Sequence, residues 1–314
     1  SISGTTDDVT VVGSGTALTI TQLTAEENTT ITNAGAVTIT DMTAATDTAS
    51  LITLTVNAGG AIVVTDTDNT GSMSLTTSTG NITVTDSDQS TTGVFTTSNG
   101  DITLTDVADL ATSVTATATG DGVAATTGAD GDITLTDTSA AEIVTATATG
   151  AIVVTASEAA GTLTLSAGQA STIANTVSDV QTLNLSATQG MDGGTAAVTF
   201  TAADGDDGTN GAADGLVELD NINFTGSNSV TLLMSLDNFD DAEADTSNST
   251  TAAAVIATDT MTGGTSRIEF NVTAGAAVDV SKLAVDQIAI GYNVGGSDAF
   301  TVASGQTIVA AADM

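Results

Sequence analysis

The sequence predicts an all-β protein: a parallel β-solenoid of about 20-residue coils over residues 1–190, then a smaller irregular all-β domain or set of capping coils over 191–314. Three observations predict it. One short phrase recurs, each copy alternates aliphatic residues with threonine, and the chain contains no proline to interrupt a hydrogen-bonded ladder.

The phrase opens at a glycine: Gly60-AIVVTD, Gly80-NITVTD, Gly100-DITLTD, Gly131-DITLTD and Gly150-AIVVTA, with a looser copy at Gly35-AVTITD. Successive glycines from Gly60 stand 20, 20, 31 and 19 residues apart. The long interval holds the Gly/Asp-rich stretch 120–131, which reads as a loop inserted between two coils. Within a copy, as in Ile82-Thr83-Val84-Thr85, the period of two marks a strand with one apolar and one hydroxyl face. A second strand follows roughly ten residues later, at 51–56, 73–77, 94–97, 114–119, 143–149 and 163–166. Two such short strands cannot enclose an apolar face alone, but stacked coils bury a continuous narrow core.

Beyond about residue 191 the phrase is lost. The Gly/Asp-rich stretch 203–215 intervenes, and irregular strands are expected at 216–224, 229–236, 267–272 and 287–294. Six of the seven aromatic residues lie in this part, Phe95 being the exception, as a thin solenoid interior would require. Only 238–245 and 281–286 could form a turn or two of helix.

Charge narrows the function classes. The chain has 38 acidic residues against Arg267 and Lys282, no histidine, and a formal net charge of -36. Such a polyanion gains nothing from counterion release on nucleic acid and is repelled by anionic headgroups, so neither is an expected partner. Its self-repulsion calls for salt or bound cations. The β-branched content nevertheless separates it from disordered acidic tails. No apolar run reaches the length of a membrane span. The chain opens at Ser1 without Met or a basic-then-apolar leader, as expected if processing or truncation has removed its start.

An inventory without His or Cys offers no imidazole base, catalytic triad, thiol nucleophile, disulfide or common zinc site. Paired carboxylates could still serve a glycosidase, but seven aromatics in 314 residues leave few rings to hold a sugar. The reading is therefore not an enzyme.

The repeated acids carry more information. Asp41, Asp66, Asp86, Asp106 and Asp137 close successive phrases and would form a column with neighbours roughly 5 Å apart. No Lys or Arg is available there to offset their repulsion, and a hard cation such as Ca2+ would, with Asp66/Asp68 and Asp86/Asp88 as ligand pairs. The alternative is that each Asp makes an Asx-type turn and faces solvent. A second candidate cation loop gathers Asp204, Asp206, Asp207, Asn210 and Asp214 among glycines, without the twelfth-position glutamate of an EF-hand; otherwise it is a linker. The pairs Thr83/Thr85, Thr103/Thr105, Thr134/Thr136 and Thr145/Thr147 would make hydroxyl ladders on a flat face, read as a solvated strand surface ahead of an ice-binding one.

The Thr/Ala/Gly/Asp-rich text, the Gly-x-Ile-Thr-Leu-Thr-Asp phrase and the missing cysteine resemble the threonine-rich β-solenoid portions of bacterial S-layer proteins and related type I-secreted surface proteins, over residues 35 to about 190. The resemblance implies a secreted cell-surface protein that assembles with copies of itself in a calcium-dependent lattice or fibre. The Gly-Gly-x-Gly-x-Asp nonapeptides of such proteins are absent. Six Asn-x-Ser/Thr sequons, at Asn28, Asn81, Asn184, Asn223, Asn248 and Asn271, would suit a glycosylated coat, and cell-surface polysaccharide is a further expected partner. The competing expectation is an adhesin or ice-binding solenoid module.

Overall fold

In the computed structural model the described residues are 2–3, 8–25, 28–44, 52–68, 70–88, 91–107, 112–120, 131–137, 143–155, 161–169, 171–174, 180–187, 195–201, 221–235, 256–271, 277–281, 283–291, 299–301 and 304–310. Every regular element among them is a β-strand. The chain divides into two compact units, Ser1–Ala159 and Ala160–Met314.

Unit 1 is a parallel β-solenoid built from two sheets. In sheet I the recurring phrase stacks on itself, through strands Ile62–Asp68, Ile82–Asp88, Ile102–Thr105, Ile133–Thr136 and Ile152–Thr155. Register is unbroken: Ile62, Ile82, Ile102, Ile133 and Ile152 form one column, and Val64, Val84, Leu104, Leu135 and Val154 the next. The insertion at 121–130, outside the described residues, therefore leaves the ladder in phase. Sheet II consists of Val9–Gly13, Thr29–Asn33, Ile52–Ala58, Thr70–Thr77, Thr92–Thr97, Ser113–Ala118 and Ile143–Ala148. Its strands are parallel and paired in that order.

Alternation does the folding. Each aliphatic residue of the two sheet I columns is buried, while the residue between them, Thr83, Thr103 or Thr134 in three strands and Val63 or Val153 in the other two, is only partly covered. Removing an isoleucine side chain from water stabilises by about 1.5–3 kcal/mol, so five stacked isoleucines provide a substantial core column. In sheet II the interior accommodates one ring: Phe95 stacks between Leu75 and Ala116, with Gly93 two residues earlier on its own strand. Ala116 and Gly93 make room for the large side chain, as close packing requires.

Coils also approach closely at the glycine that opens each phrase. Gly80 and Gly131 have φ of 104° and 78°, conformations suited to glycine. At Gly100 a Cβ would overlap the carbonyl oxygen of Gly80 in the preceding coil.

Unit 2 is likewise made of parallel strands, but its coils vary in length. One sheet contains Gly161–Ala167, Val180–Ala187, Asn221–Phe224 and Ile256–Asp259. Another contains Ser171–Ala174, Thr195–Thr201, Ser229–Ser235, Ser266–Asn271, Gln287–Gly291 and Ile308–Ala310. Ala277–Asp279 and Ala299–Thr301 form a separate pair. Neighbouring coils are joined by an outward polar ladder. Asn184 Nδ2 donates to Thr164 Oγ1 at 3.0 Å across 20 residues, and Asn223 Nδ2 donates to Asn184 Oδ1 at 2.9 Å across 39. Thr258 Oγ1 then donates to Asn223 Oδ1 across 35.

The expected helical turn at 281–286 is instead a tight turn, in which Leu283 N–H donates to the Val280 carbonyl at 3.1 Å and Leu283 bridges to Ala257 in parallel. Burial of Val280 and Leu283 in the stack outweighs the weak local helical preference. The other candidate, 238–245, lies outside the described residues.

Candidate functional site

Acids stand at two corners of the unit 1 coils: where the phrase opens, at Asp101 and Asp132 with Asn81 in the coil before, and where it closes, at Asp41, Asp66, Asp86, Asp106 and Asp137. At the closing corner Asp66, Asp86, Asp106 and Asp137 adopt φ of 57°, 56°, 50° and 50°. Aspartate is one of the few residues that enters this left-handed region, where a β-branched side chain would clash. The bend sends the following residue inward: Thr67, Ser87 and Val107 are buried, and Thr67 Oγ1 donates to Ser87 Oγ at 2.7 Å. Backbone bonds lock consecutive corners together. Ser87 N–H donates to the Asp106 carbonyl at 3.0 Å, Asp106 N–H to the Thr136 carbonyl at 3.0 Å, and Val107 N–H to the Asp137 carbonyl at 3.1 Å.

The four aspartates are exposed and stand one per coil. The strand spacing sets the backbones of neighbouring corners roughly 5 Å apart, and like charges at such a separation repel by about 1 kcal/mol in water. Asp41 occupies the same corner one coil earlier, since Ile39 pairs with Val64 and Met42 with Thr67. It differs in being half-buried and outside the left-handed region. Asp68 and Asp88 pair in backbone register, but their side chains lie outside the described residues. Asp204, Asp206, Asp207, Asn210 and Asp214 lie outside the described residues altogether. Among the described residues no three acidic side chains gather around a point where they could hold a metal ion. The column brings its acids together serially, neighbour to neighbour.

The opening corner is a feature that reading the phrase for its terminal acid overlooks. Asn81 Oδ1 accepts from Asp101 N–H at 3.0 Å. Asp101 Oδ1 accepts from Gly131 and Asp132 N–H at 3.2 and 3.1 Å, and Asp132 Oδ1 accepts from Ala151 N–H at 2.7 Å. Each Asx side chain thus caps an amide in the next coil. The signal available in the sequence is the Gly-Asx pair that begins three consecutive phrases.

The threonines do not share one face. Thr83, Thr103 and Thr134 align in sheet I, as do Thr85, Thr105 and Thr136, but Thr145 and Thr147 pair with Thr115 and Thr117 in sheet II. The second strand of a coil belongs to another sheet, so identical Thr-x-Thr text appears on two surfaces. In unit 2, Arg267 Nη2 meets Glu269 Oε2 at 2.7 Å on one strand, two residues apart and therefore on the same side.

No protein-family model, curated protein or solved structure matches this chain. The repeat geometry therefore carries the functional argument.

Proposed function

We propose that the chain is a non-catalytic, self-assembling extracellular protein, a subunit of an S-layer lattice or surface fibre, stabilised by Ca2+. The observation that carries this reading is the closing corner. Four exposed carboxylates are held one per coil by backbone bonds, in a left-handed conformation that uncharged Asn or Gly would satisfy equally well. Divalent ions bridging neighbouring carboxylates, with water completing their coordination, offset the repulsion. They can also join the corners of two copies. Cell-surface polysaccharide is a secondary partner of the assembled coat. Electron microscopy of the purified protein with millimolar calcium tests the reading: lattices or filaments that dissolve in EDTA support it, and a monodisperse monomer in every ionic condition refutes it.

The registered threonine ranks of sheet I favour a second reading, an ice-binding or adhesin module. Thermal hysteresis by the monomer, without self-association, would select it.

A further inference from the structure

The charge of unit 1 is distributed unevenly between its two sheets. The seven strands of sheet II contain no Asp, Glu, Lys or Arg; in sheet I, Ile62–Asp68 and Ile82–Asp88 each carry two aspartates, Ile102–Thr105 and Ile133–Thr136 are followed directly by Asp106 and Asp137, and Ile152–Thr155 has none. Among the described residues of this unit, the exposed large hydrophobics lie in sheet II: Val12 at 78%, Val94 at 43% and Ile143 at 46%. Alternation places all three on its outer side, among threonines and serines whose neighbours point into the core. Ser72 Oγ and Thr53 Oγ1 lie 3.3 Å apart there, so hydroxyls satisfy one another along the stack.

From these observations, and resting on the self-assembly reading above, we propose that the outer face of sheet II in unit 1 is the surface through which two copies of this chain meet. Net charge makes copies repel, and this face is where they can approach without opposing like charges. A cationic or anionic partner finds no counter-charge on it. A sugar finds no ring to stack on, because Phe95 is buried. A second copy, in contrast, presents the same strand spacing of roughly 4.8 Å, so side-chain ranks interdigitate over the whole face without a change of register. Seven strands of about six residues give a face of roughly 600 Å² per copy, about 1,200 Å² for the pair. That is the lower end of the range for specific interfaces. Such a contact is weak singly and effective when repeated in a lattice.

The absence of native cysteine permits a direct test. Thr76, exposed on the central strand of sheet II, is replaced in Thr76→Cys, and Thr83 on sheet I in Thr83→Cys as the control. In calcium-assembled protein a short bis-maleimide should link Thr76→Cys copies into dimers and leave Thr83→Cys copies largely unlinked. In parallel, Thr76→Asp should raise the concentration needed for association, read by sedimentation velocity, by roughly tenfold, with Thr85→Asp shifting it less than about twofold. Circular dichroism and melting establish that each variant is folded. If the unmodified protein never associates, the self-assembly reading falls and this surface assignment with it. If it associates but Thr76→Asp associates as well as wild type, or Thr85→Asp is weakened equally, the surface assignment alone is overturned. Loss of ice or polysaccharide binding in Thr76→Asp with association unchanged would likewise overturn it.

Discussion

The two corners of a coil use the same kind of side chain for opposite purposes. At the opening corner the carboxylates of Asp101 and Asp132 are half-buried and accept amide hydrogen bonds from the next coil, so the acid works inward as part of the stack. At the closing corner Asp86, Asp106 and Asp137 are exposed, and the stack is held there by their backbone and by the inward-turned Ser87 and Val107. An acid that caps an amide is part of the fold. One that faces solvent in a column of like charges costs stability unless something outside the chain neutralises it.

The largest perturbation strikes the core that both corners share. Ile102→Ala, in the middle of the isoleucine column, should lower unfolding free energy by about 2–5 kcal/mol in denaturant titration. It should also weaken both corners together. The next separates them: Asp101→Ala strands the Gly131 and Asp132 amides and should destabilise by about 1–3 kcal/mol, while Asp101→Asn, which keeps an acceptor oxygen, should lie within about 0.5 kcal/mol of wild type. At the closing corner the sign reverses. Each of Asp66→Asn, Asp86→Asn and Asp106→Asn should stabilise the metal-free protein at low salt by a few tenths to about 1 kcal/mol, cumulatively, with the gain shrinking as salt is raised. Asp86→Ala removes the same charge but places alanine at φ 56°, so it should be about 1 kcal/mol less stable than Asp86→Asn. Equal melting temperatures for the two would mean that backbone conformation contributes nothing at this corner.

This contrast marks how far the sequence can be read. The phrase from Gly60 to Ala156 made strand positions and register legible, because alternation and a near-constant 20-residue interval both survive in plain text. The closing acids were legible as a column for the same reason. The bend was legible only in part: Thr-Asp-Thr, Thr-Asp-Ser and Thr-Asp-Val share an aspartate suited to a solvent-facing turn, but an Asp alone does not fix a left-handed φ, and the residue that packs inward after it differs each time. The Asx ladder is not legible in the sequence because each oxygen serves an amide 19 to 31 residues away, a pairing that exists only once coils stack. In unit 2 the stacking of Asn184 on Asn223 spans 39 residues, and unequal coil lengths hide such partners from any periodic search. The division of Thr-x-Thr pairs between two sheets follows from the coil path, which local text does not encode.

Calcium dependence of the melting temperature, in wild type and in the Asp66→Asn/Asp86→Asn/Asp106→Asn triple variant, tests the central claim most directly. An ion that binds only the folded column stabilises it by mass action, about 2.7 kcal/mol at a hundredfold excess over Kd. Wild type should therefore melt markedly higher in millimolar calcium than in EDTA, with sodium chloride restoring part of the difference by screening. The triple variant should melt at nearly the same temperature with and without calcium, and above wild type in EDTA. A triple variant that is stabilised in EDTA yet retains the full calcium response would contradict the column's role. If EDTA alters neither melting nor assembly of the wild type, cation stabilisation is refuted as a whole.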